Sequence, residues 1–194
     1  MGNPNREDAW KVLQKHVKAD NLIKHSLAVE SVMRQLARKY GEDEEKWAVV
    51  GLAHDLDYEK YPEQHCTKVR ELLEEEGWPE DYIRAIQSHG YSRVNDIEPL
   101  TVMEKSLFAI DELTGLVTAT ALVRPSKSIM DVKTKSVKKK WKDRSFSAAV
   151  DRELIADGAE RLGVELSELI GDAIAGMQTV AKDLGLEGNP ESGQ

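Results

Sequence analysis

The chain has 194 residues, a formal net charge of −8 and a single cysteine, Cys66. This length allows one domain with a substantial core, and one cysteine excludes an intramolecular disulfide. The acidic balance disfavours general nucleic-acid binding, because a phosphate backbone repels an acidic surface. The first residues carry no apolar run typical of a secretory leader, and no stretch reaches the ~20 apolar residues of a membrane helix. We therefore expect a soluble, cytoplasmic protein that has no membrane partner.

Apolar residues recur at helical spacing along the chain, and the signals of β-strands are nearly absent. The pattern predicts an all-α fold. Asp20 and Asp43 are predicted N-caps of the second and third helices, while Gly41 and Pro125 are typical of helix ends. The predicted helices cover residues 5–17, 20–41, 44–57, 63–76, 79–89, 100–123, 128 or 131 to 141, 148–162 and 166–184.

The same pattern predicts one helical domain over residues 1–185, with a core at 20–123 and C-terminal helices at 128–185. Residues 186–194 carry Gly, Pro, Asn and Ser without periodicity. We expect this last segment to be a disordered tail.

A histidine and an aspartate, His54 and Asp55, follow directly on the apolar run 48–53. Burying two such groups costs free energy unless something pairs with them, and a metal ion is one such partner. Neighbouring residues on a helix diverge by about 100°, so a metal reached by both must lie off the edge between them.

The chain has five histidines, of which His16 is predicted to lie at the surface. The others fall on four consecutive predicted helices. A lone histidine on an apolar helix face is more often a hydrogen-bonded core residue, whereas several on successive helices favour a shared ligand. These four are His25, His54, His65 and His89.

One further acidic residue, Asp111, lies inside the apolar helix predicted at 100–123. A carboxylate in that position needs a partner, whereas its neighbour Glu112 can face water. We therefore add Asp111 to the candidate ligands.

The order His25, His54-Asp55, Asp111 on an all-α chain resembles the HD-domain metal-dependent phosphohydrolases, which implies an HD-domain-like helical bundle. The likeness covers about residues 20 to 120. His65 and His89 fall where the HDIG-type subgroup has two further histidines. The lysine-rich segment and residues 146–153 also resemble HDIG-type hydrolases of unassigned substrate. Leu56-Asp57 stands in place of Ile-Gly, so the motif departs from its name there.

The resemblance implies one metal on His25, His54, Asp55 and Asp111. In the two-metal members of the superfamily, Asp55 would bridge to a second ion held by His65 and His89. Imidazole and carboxylate ligands without a thiolate suit Fe, Mn, Co, Ni or Zn. We therefore expect one or two divalent transition metal ions as cofactors.

A bound metal lowers the pKa of water and polarises a phosphoryl oxygen. The expected function is hydrolysis of a phosphate ester, with a nucleotide or related small phosphorylated molecule as substrate. The enzyme would be a phosphatase or a phosphodiesterase, which the ligands do not distinguish. Asp55 and Asp57 are the predicted catalytic residues. Asp57 would orient a ligand histidine or act as a general base, the alternative being a helix-end carboxylate in water.

Two other classes stay open. One is a non-catalytic module that senses a nucleotide or a metal on the same fold. The other is a di-iron oxygenase of HD-like fold. The oligomeric state is also open.

The basic run at residues 133–144 is the one strong positive segment in this acidic chain. Lys135, Lys139 and Lys142 share one helix face and are candidate substrate-phosphate contacts, although most such runs are solvated faces. Four other cations lie near the ligands in sequence, and Cys66 is predicted to be a small buried residue, not a nucleophile. The four cations are Lys24, Arg70, Arg84 and Arg93.

Overall fold

The computed structural model describes residues 2–189 of the chain. Over that range the protein is all-α, as predicted: it has nine α-helices and two short 3-10 helices, Pro62–Gln64 and Ile129–Asp131, and the one β-like feature is an isolated bridge between Tyr91 and Asn95. The α-helices are α1 (Arg6–His16), α2 (Asp20–Tyr40), α3 (Glu44–Ala53), α4 (Lys68–Glu75), α5 (Glu80–Ser88), α6 (Val102–Leu122), α7 (Thr134–Lys142), α8 (Arg152–Leu162) and α9 (Leu166–Gln178).

Side-chain caps fix where several helices begin. Asp43 caps α3 as predicted, because its carboxylate accepts hydrogen bonds from the backbone N–H groups of Glu45 and Lys46. Thr101 begins α6 through a capping box with Glu104. The predicted cap of α2 is wrong by one position: Ala19 is the N-cap, and Asp20 is the first helical residue.

The two longest helices, α2 and α6, form the centre of the bundle. α2 packs against α3, α6 and α9, and α6 packs also against α7, α8 and α9. Each of the nine helices contributes buried apolar side chains to one hydrophobic cluster. Because α2 and α6 pack against each other, residues 25 and 111 can meet although they are far apart in sequence.

The helices around the predicted ligands are shorter than predicted. α3 ends at Ala53, and a turn follows it. α4 begins only at Lys68, and α5 ends at Ser88. His54, His65 and His89 therefore lie just beyond helices or in the connections between them, and the prediction that all four ligand histidines lie on helices is wrong for these three.

Two further predictions are corrected. His16 is buried, with 8% of its surface exposed, and is not a surface residue. The first residues of the predicted disordered tail are packed: Leu186 is 3% exposed, and its carbonyl accepts a hydrogen bond from the Ile129 N–H at 2.8 Å. The remainder of that predicted tail, 190–194, lies outside the described residues.

No helix within residues 2–189 combines the length and the apolar character needed to cross a membrane.

Candidate metal centre

The structure brings all six predicted ligand residues into one cluster. His25 lies on α2 and Asp111 on α6, so these two come from the central helix pair. The backbone turns away at the end of α3, which places His54 and Asp55 beside them. The other two histidines approach from the opposite side: His65 follows the 3-10 helix Pro62–Gln64, and His89 is the C-cap of α5.

The first half of the cluster contains His25, His54 and Asp111. Asp111 Oδ1 lies 2.9 Å from His25 Nε2 and 3.3 Å from His54 Nε2. The two Nε2 atoms are 3.1 Å apart. Asp55 Oδ2 completes this group at 3.6 Å from His25 Nε2 and 3.4 Å from His54 Nε2.

The second half contains His65 and His89, whose Nε2 atoms are 3.3 Å apart. Asp55 Oδ1 lies 3.5 Å from each of them. The Asp55 carboxylate therefore lies between the two halves and faces one with each oxygen.

The histidines of the cluster are oriented through their Nδ1 atoms. Three of these nitrogens face groups that can only accept a hydrogen bond, so each carries a proton and Nε2 is the nitrogen that points into the cluster. The acceptors are the Gly51 carbonyl at 2.8 Å from His54, Asp57 Oδ1 at 2.8 Å from His65 and the Ile86 carbonyl beside His89.

His25 has the same arrangement through a hydroxyl. Its Nδ1 lies 3.4 Å from Thr114 Oγ1. That hydroxyl donates to the Asp111 carbonyl at 2.8 Å, so it accepts from the imidazole. All four Nε2 atoms are therefore available as ligands.

The spacing of these atoms fits metal coordination. Two ligands at about 2.1 Å from one ion lie roughly 3.0–3.4 Å apart at the angles that metals prefer. Within each half, the distances between neighbouring Nε2 and carboxylate oxygen atoms run from 2.9 to 3.6 Å. Four imidazoles and two carboxylates form a donor set that suits divalent transition metals.

The two carboxylates of the cluster, Asp55 and Asp111, are stabilised by positive charge between them. Burial lowers the pKa of His54, but the carboxylates of Asp55 and Asp111 outweigh it and raise that pKa to about 10. Burial raises the pKa of both carboxyls, yet the neighbouring imidazoles hold each well below its ordinary value. Without a metal, protons supply the positive charge that these carboxylates need, and a divalent cation can supply it in the same place.

Asp57 supports the second half of the cluster. It is fully buried, so the alternative of a solvated helix-end carboxylate is wrong. One oxygen accepts from His65 Nδ1, and the other accepts from the Val69 backbone N–H at 2.9 Å. Burial lowers the pKa of His65, but the bond to Asp57 outweighs this and raises it to about 9. Both Asp57 oxygens are therefore engaged in holding the segment that carries His65.

Cys66 is buried, as predicted, and touches His89. Its Sγ lies 3.4 Å from Nε2 and 3.9 Å from Nδ1 of that ring. Such similar distances place the sulfur beside the ring and not beyond Nε2, where the lone pair points. Burial raises the pKa of the thiol, but the neighbouring His89 and His65 outweigh it and bring it down to about 7.

A cleft of about 740 Å³ opens over the cluster. His54 and His89 lie fully buried at its base, whereas the other four cluster residues face it. Its walls include several residues that the sequence did not indicate as site residues, among them Tyr58, Pro62 and Glu112. The Tyr58 ring stands edge-to-face to His65, with the ring centroids 5.2 Å apart.

Among the described residues, Arg93 is the one arginine or lysine that lines this cleft. Its Nη1 lies 2.6 Å from Glu112 Oε1, which fixes the guanidinium. Arg93 was only one of four cations near the ligands in sequence, and its place in the irregular segment 91–99 offered no periodicity from which its direction could be predicted. Arg70 and Arg84 instead pair with Glu80 and Glu104.

The predicted phosphate-binding lysines are not brought to the cluster. Lys135, Lys139 and Lys142 lie exposed on α7. None of them is among the described residues that line the cleft. The spacing of the lysines predicts that they share a helix face, but not what that face lies against. In the structure α7 packs against the core through Val137.

Residues 22–116 match the family model described as HD domain. This segment runs from the first turn of α2 to the second half of α6 and contains all six residues of the cluster. The match covers slightly less than half of the chain. Neither the comparison with curated proteins nor the comparison with solved structures gives a match.

Proposed function

With the HD-domain match over residues 22–116 as the premise, we propose that this protein is a metal-dependent phosphohydrolase of the HDIG type. Its substrate would be a nucleotide or a related small phosphorylated molecule. The observation that supports this most is the Asp55 carboxylate, which faces two groups of imidazole ligands at the floor of an open cleft.

The cluster can hold two ions. His25, His54 and Asp111 would hold the first, His65 and His89 the second, and Asp55 would contact both. Ions in such a site lower the pKa of a bound water toward neutrality and polarise a phosphoryl oxygen. The remaining contributions come from the protein.

Arg93 is placed to bind the phosphate. A guanidinium presents a planar set of N–H donors that matches phosphoryl oxygens. Its ion pair with Glu112 restricts the side chain before substrate arrives, so less freedom is lost on binding. Asp57 is a positioning residue, since it acts on the substrate only through His65.

The test is metal content combined with a phosphoesterase screen. Protein purified without chelator is analysed for transition metals and then assayed with aryl phosphate monoesters, bis-aryl diesters and a nucleotide panel. We expect at least one metal per chain and turnover of at least one ester class. The preferred class distinguishes a phosphatase from a phosphodiesterase.

Variants sharpen this test. His54→Ala and Asp55→Ala should lose metal and at least 100-fold of the turnover, whereas His16→Ala should retain both because His16 belongs to neither half of the cluster. Wild-type protein that binds no metal, or cluster variants with unchanged turnover, would contradict the proposal. Metal binding without hydrolysis of any ester would favour the sensing module. A di-iron spectrum with oxygen-dependent turnover of an unphosphorylated substrate would favour the oxygenase.

A further inference from the structure

A second cavity adjoins the cleft over the metal cluster. This groove has a volume of about 470 Å³, within the range of about 300–1,000 Å³ found for small-molecule pockets. Three residues line both cavities, so the groove opens directly from the reactive centre. The shared residues are Asn21, His25 and Gly115.

The groove follows α6 away from the cluster. Asp111, Gly115, Ala119 and Leu122 recur at helical spacing and form one face of α6. This face covers about 16 Å of helix from the metal ligand to the far end of the groove. The first two turns of α2 form another wall, and residues 184–186 also line the groove.

The lining defines the chemistry of the occupant. Ala119, Leu122, Leu184 and Leu186 give the groove a largely apolar surface, and the Leu122 side chain is 49% exposed. Two charged residues of the lining, Lys24 and Asp20, pair with each other at 2.7 Å between Nζ and Oδ2. An apolar ring system in the groove would bury Leu122.

Gly115 is best explained by such an occupant. A glycine inside a helix is about 1 kcal/mol less favourable than alanine. Neither backbone nor packing requires it here: Gly115 is helical, and an added Cβ would meet only Val150 Cγ2 at an ordinary 3.9 Å. Its effect is to keep open the passage from the cluster into the groove.

We propose that the groove binds the uncharged, ring-bearing part of the substrate while its phosphate lies at the metal cluster. This inference rests on the proposed phosphohydrolase function. It specifies an ester of a ring-bearing alcohol, such as a nucleoside, over an ester of a small polyol. Binding energy from a group remote from the phosphorus can then be used to position the ester for reaction.

The test uses the ratio of kcat/KM for a ring-bearing ester of an alkyl alcohol, such as a nucleoside 5′-monophosphate, to that for glycerol phosphate. We expect a ratio of at least 10 for the metal-loaded wild type. Ala119→Phe fills the groove two turns from Asp111 and should lower this ratio at least tenfold. Val123→Phe places the same ring at the exposed end of α6 outside the groove and should leave the ratio unchanged. A ratio near 1 in the wild type, or the same ratio in Ala119→Phe, would overturn the proposal.

A binding measurement separates this inference from the proposed function. If no phosphate ester is hydrolysed, the phosphohydrolase proposal fails, and the groove is tested with unphosphorylated nucleosides and 1-naphthol by calorimetry or ligand-observed NMR. Binding that Ala119→Phe weakens at least tenfold, and Val123→Phe does not, would support the groove as a ring-binding site. Binding that is absent, or equal in the two variants, would reject it.

Discussion

Asp55 is the residue whose carboxylate lies between the two halves of the cluster. Each of its oxygens faces two imidazole nitrogens at 3.4–3.6 Å, and the opposite pairs of histidines come from different parts of the chain. Asp55 lies in the turn that follows the end of α3 at Ala53, and its carboxylate lies between the two halves.

At the same scale, Asp57 is predicted to act through His65. In Asp57→Asn the amide oxygen can accept from His65 Nδ1 or from the Val69 N–H, but the second position would be filled by an amide N–H donor facing another donor. Loss of such a support typically costs 10–100-fold in metal affinity or activity. We expect a drop of about that size in affinity for the second ion, with the first ion retained.

Metal titration with elemental analysis measures this stoichiometry. His65→Ala serves as the reference for complete loss of the second half. If Asp57→Asn bound both ions like the wild type while turnover fell, Asp57 would act on the substrate directly and not through His65.

At the scale of elements, the contact between α6 and α8 depends on Gly158. A Cβ at this position would lie 2.5 Å from the Ala109 Cα, which is backbone and cannot move aside. Gly158→Ala should therefore destabilise the protein by about 1–3 kcal/mol despite the better helix propensity of alanine. Gly171→Ala on α9 is the matched control, because its nearest neighbour would be Thr134 Oγ1 at 3.7 Å. Denaturant unfolding should show Gly171→Ala to be neutral or stabilising, and a similar gain for Gly158→Ala would contradict this account.

The start of α6 gives a prediction for pH. Burial raises the pKa of Glu104, but hydrogen bonds from the Thr101 and Leu100 N–H groups and from Arg84 outweigh it, so the pKa lies below the ordinary 4.5. A carboxyl with a lowered folded-state pKa stabilises the protein above its unfolded value, and this contribution is lost as the pH falls through the folded value.

We therefore expect Glu104→Gln to cost about 1–3 kcal/mol near pH 7, since a charged hydrogen-bond partner of Arg84 is removed. The difference from the wild type should shrink as the pH falls below 4.5. Urea unfolding of both proteins at a series of pH values measures this difference in the free energy of unfolding. A difference that is constant between pH 7 and 3.5 would show that the ionised carboxylate is not responsible.

Sequence and structure agree best where a local pattern has one physical explanation. Asp111 inside an apolar helix and His54-Asp55 after an apolar run both needed a partner, and the structure brings them together with His25. The spacing of apolar residues gives the wrong helix end where tertiary contacts hold the chain in another conformation. The third helix was predicted to reach Asp57, but Asp57 is engaged by His65 and Val69 beyond the helix end. The direction of Arg93 could not be predicted, because segment 91–99 has no helical periodicity. The apolar residues of α7 indicate which of its faces is buried, but not how far its lysines lie from the cluster.

At the scale of the whole molecule, the histidine and aspartate cluster draws on segments from five parts of the fold. Its six residues come from α2, the end of α3, the connection before α4, the end of α5 and α6. An ion bound to the folded state alone adds RT ln(1 + [M]/Kd) to stability, about 2.7 kcal/mol at 100 times Kd. For a chain of this size each kcal/mol raises Tm by about 2–4 °C. Chelation should therefore lower Tm by about 5–10 °C, and added metal should restore it.

In Asp55→Ala both halves lose their shared ligand, so Tm should no longer depend on chelator or metal. Differential scanning calorimetry with and without chelator measures Tm for the wild type and for Asp55→Ala. If chelator removed the metal from the wild type without changing its Tm, the stability of the fold would not depend on the ions.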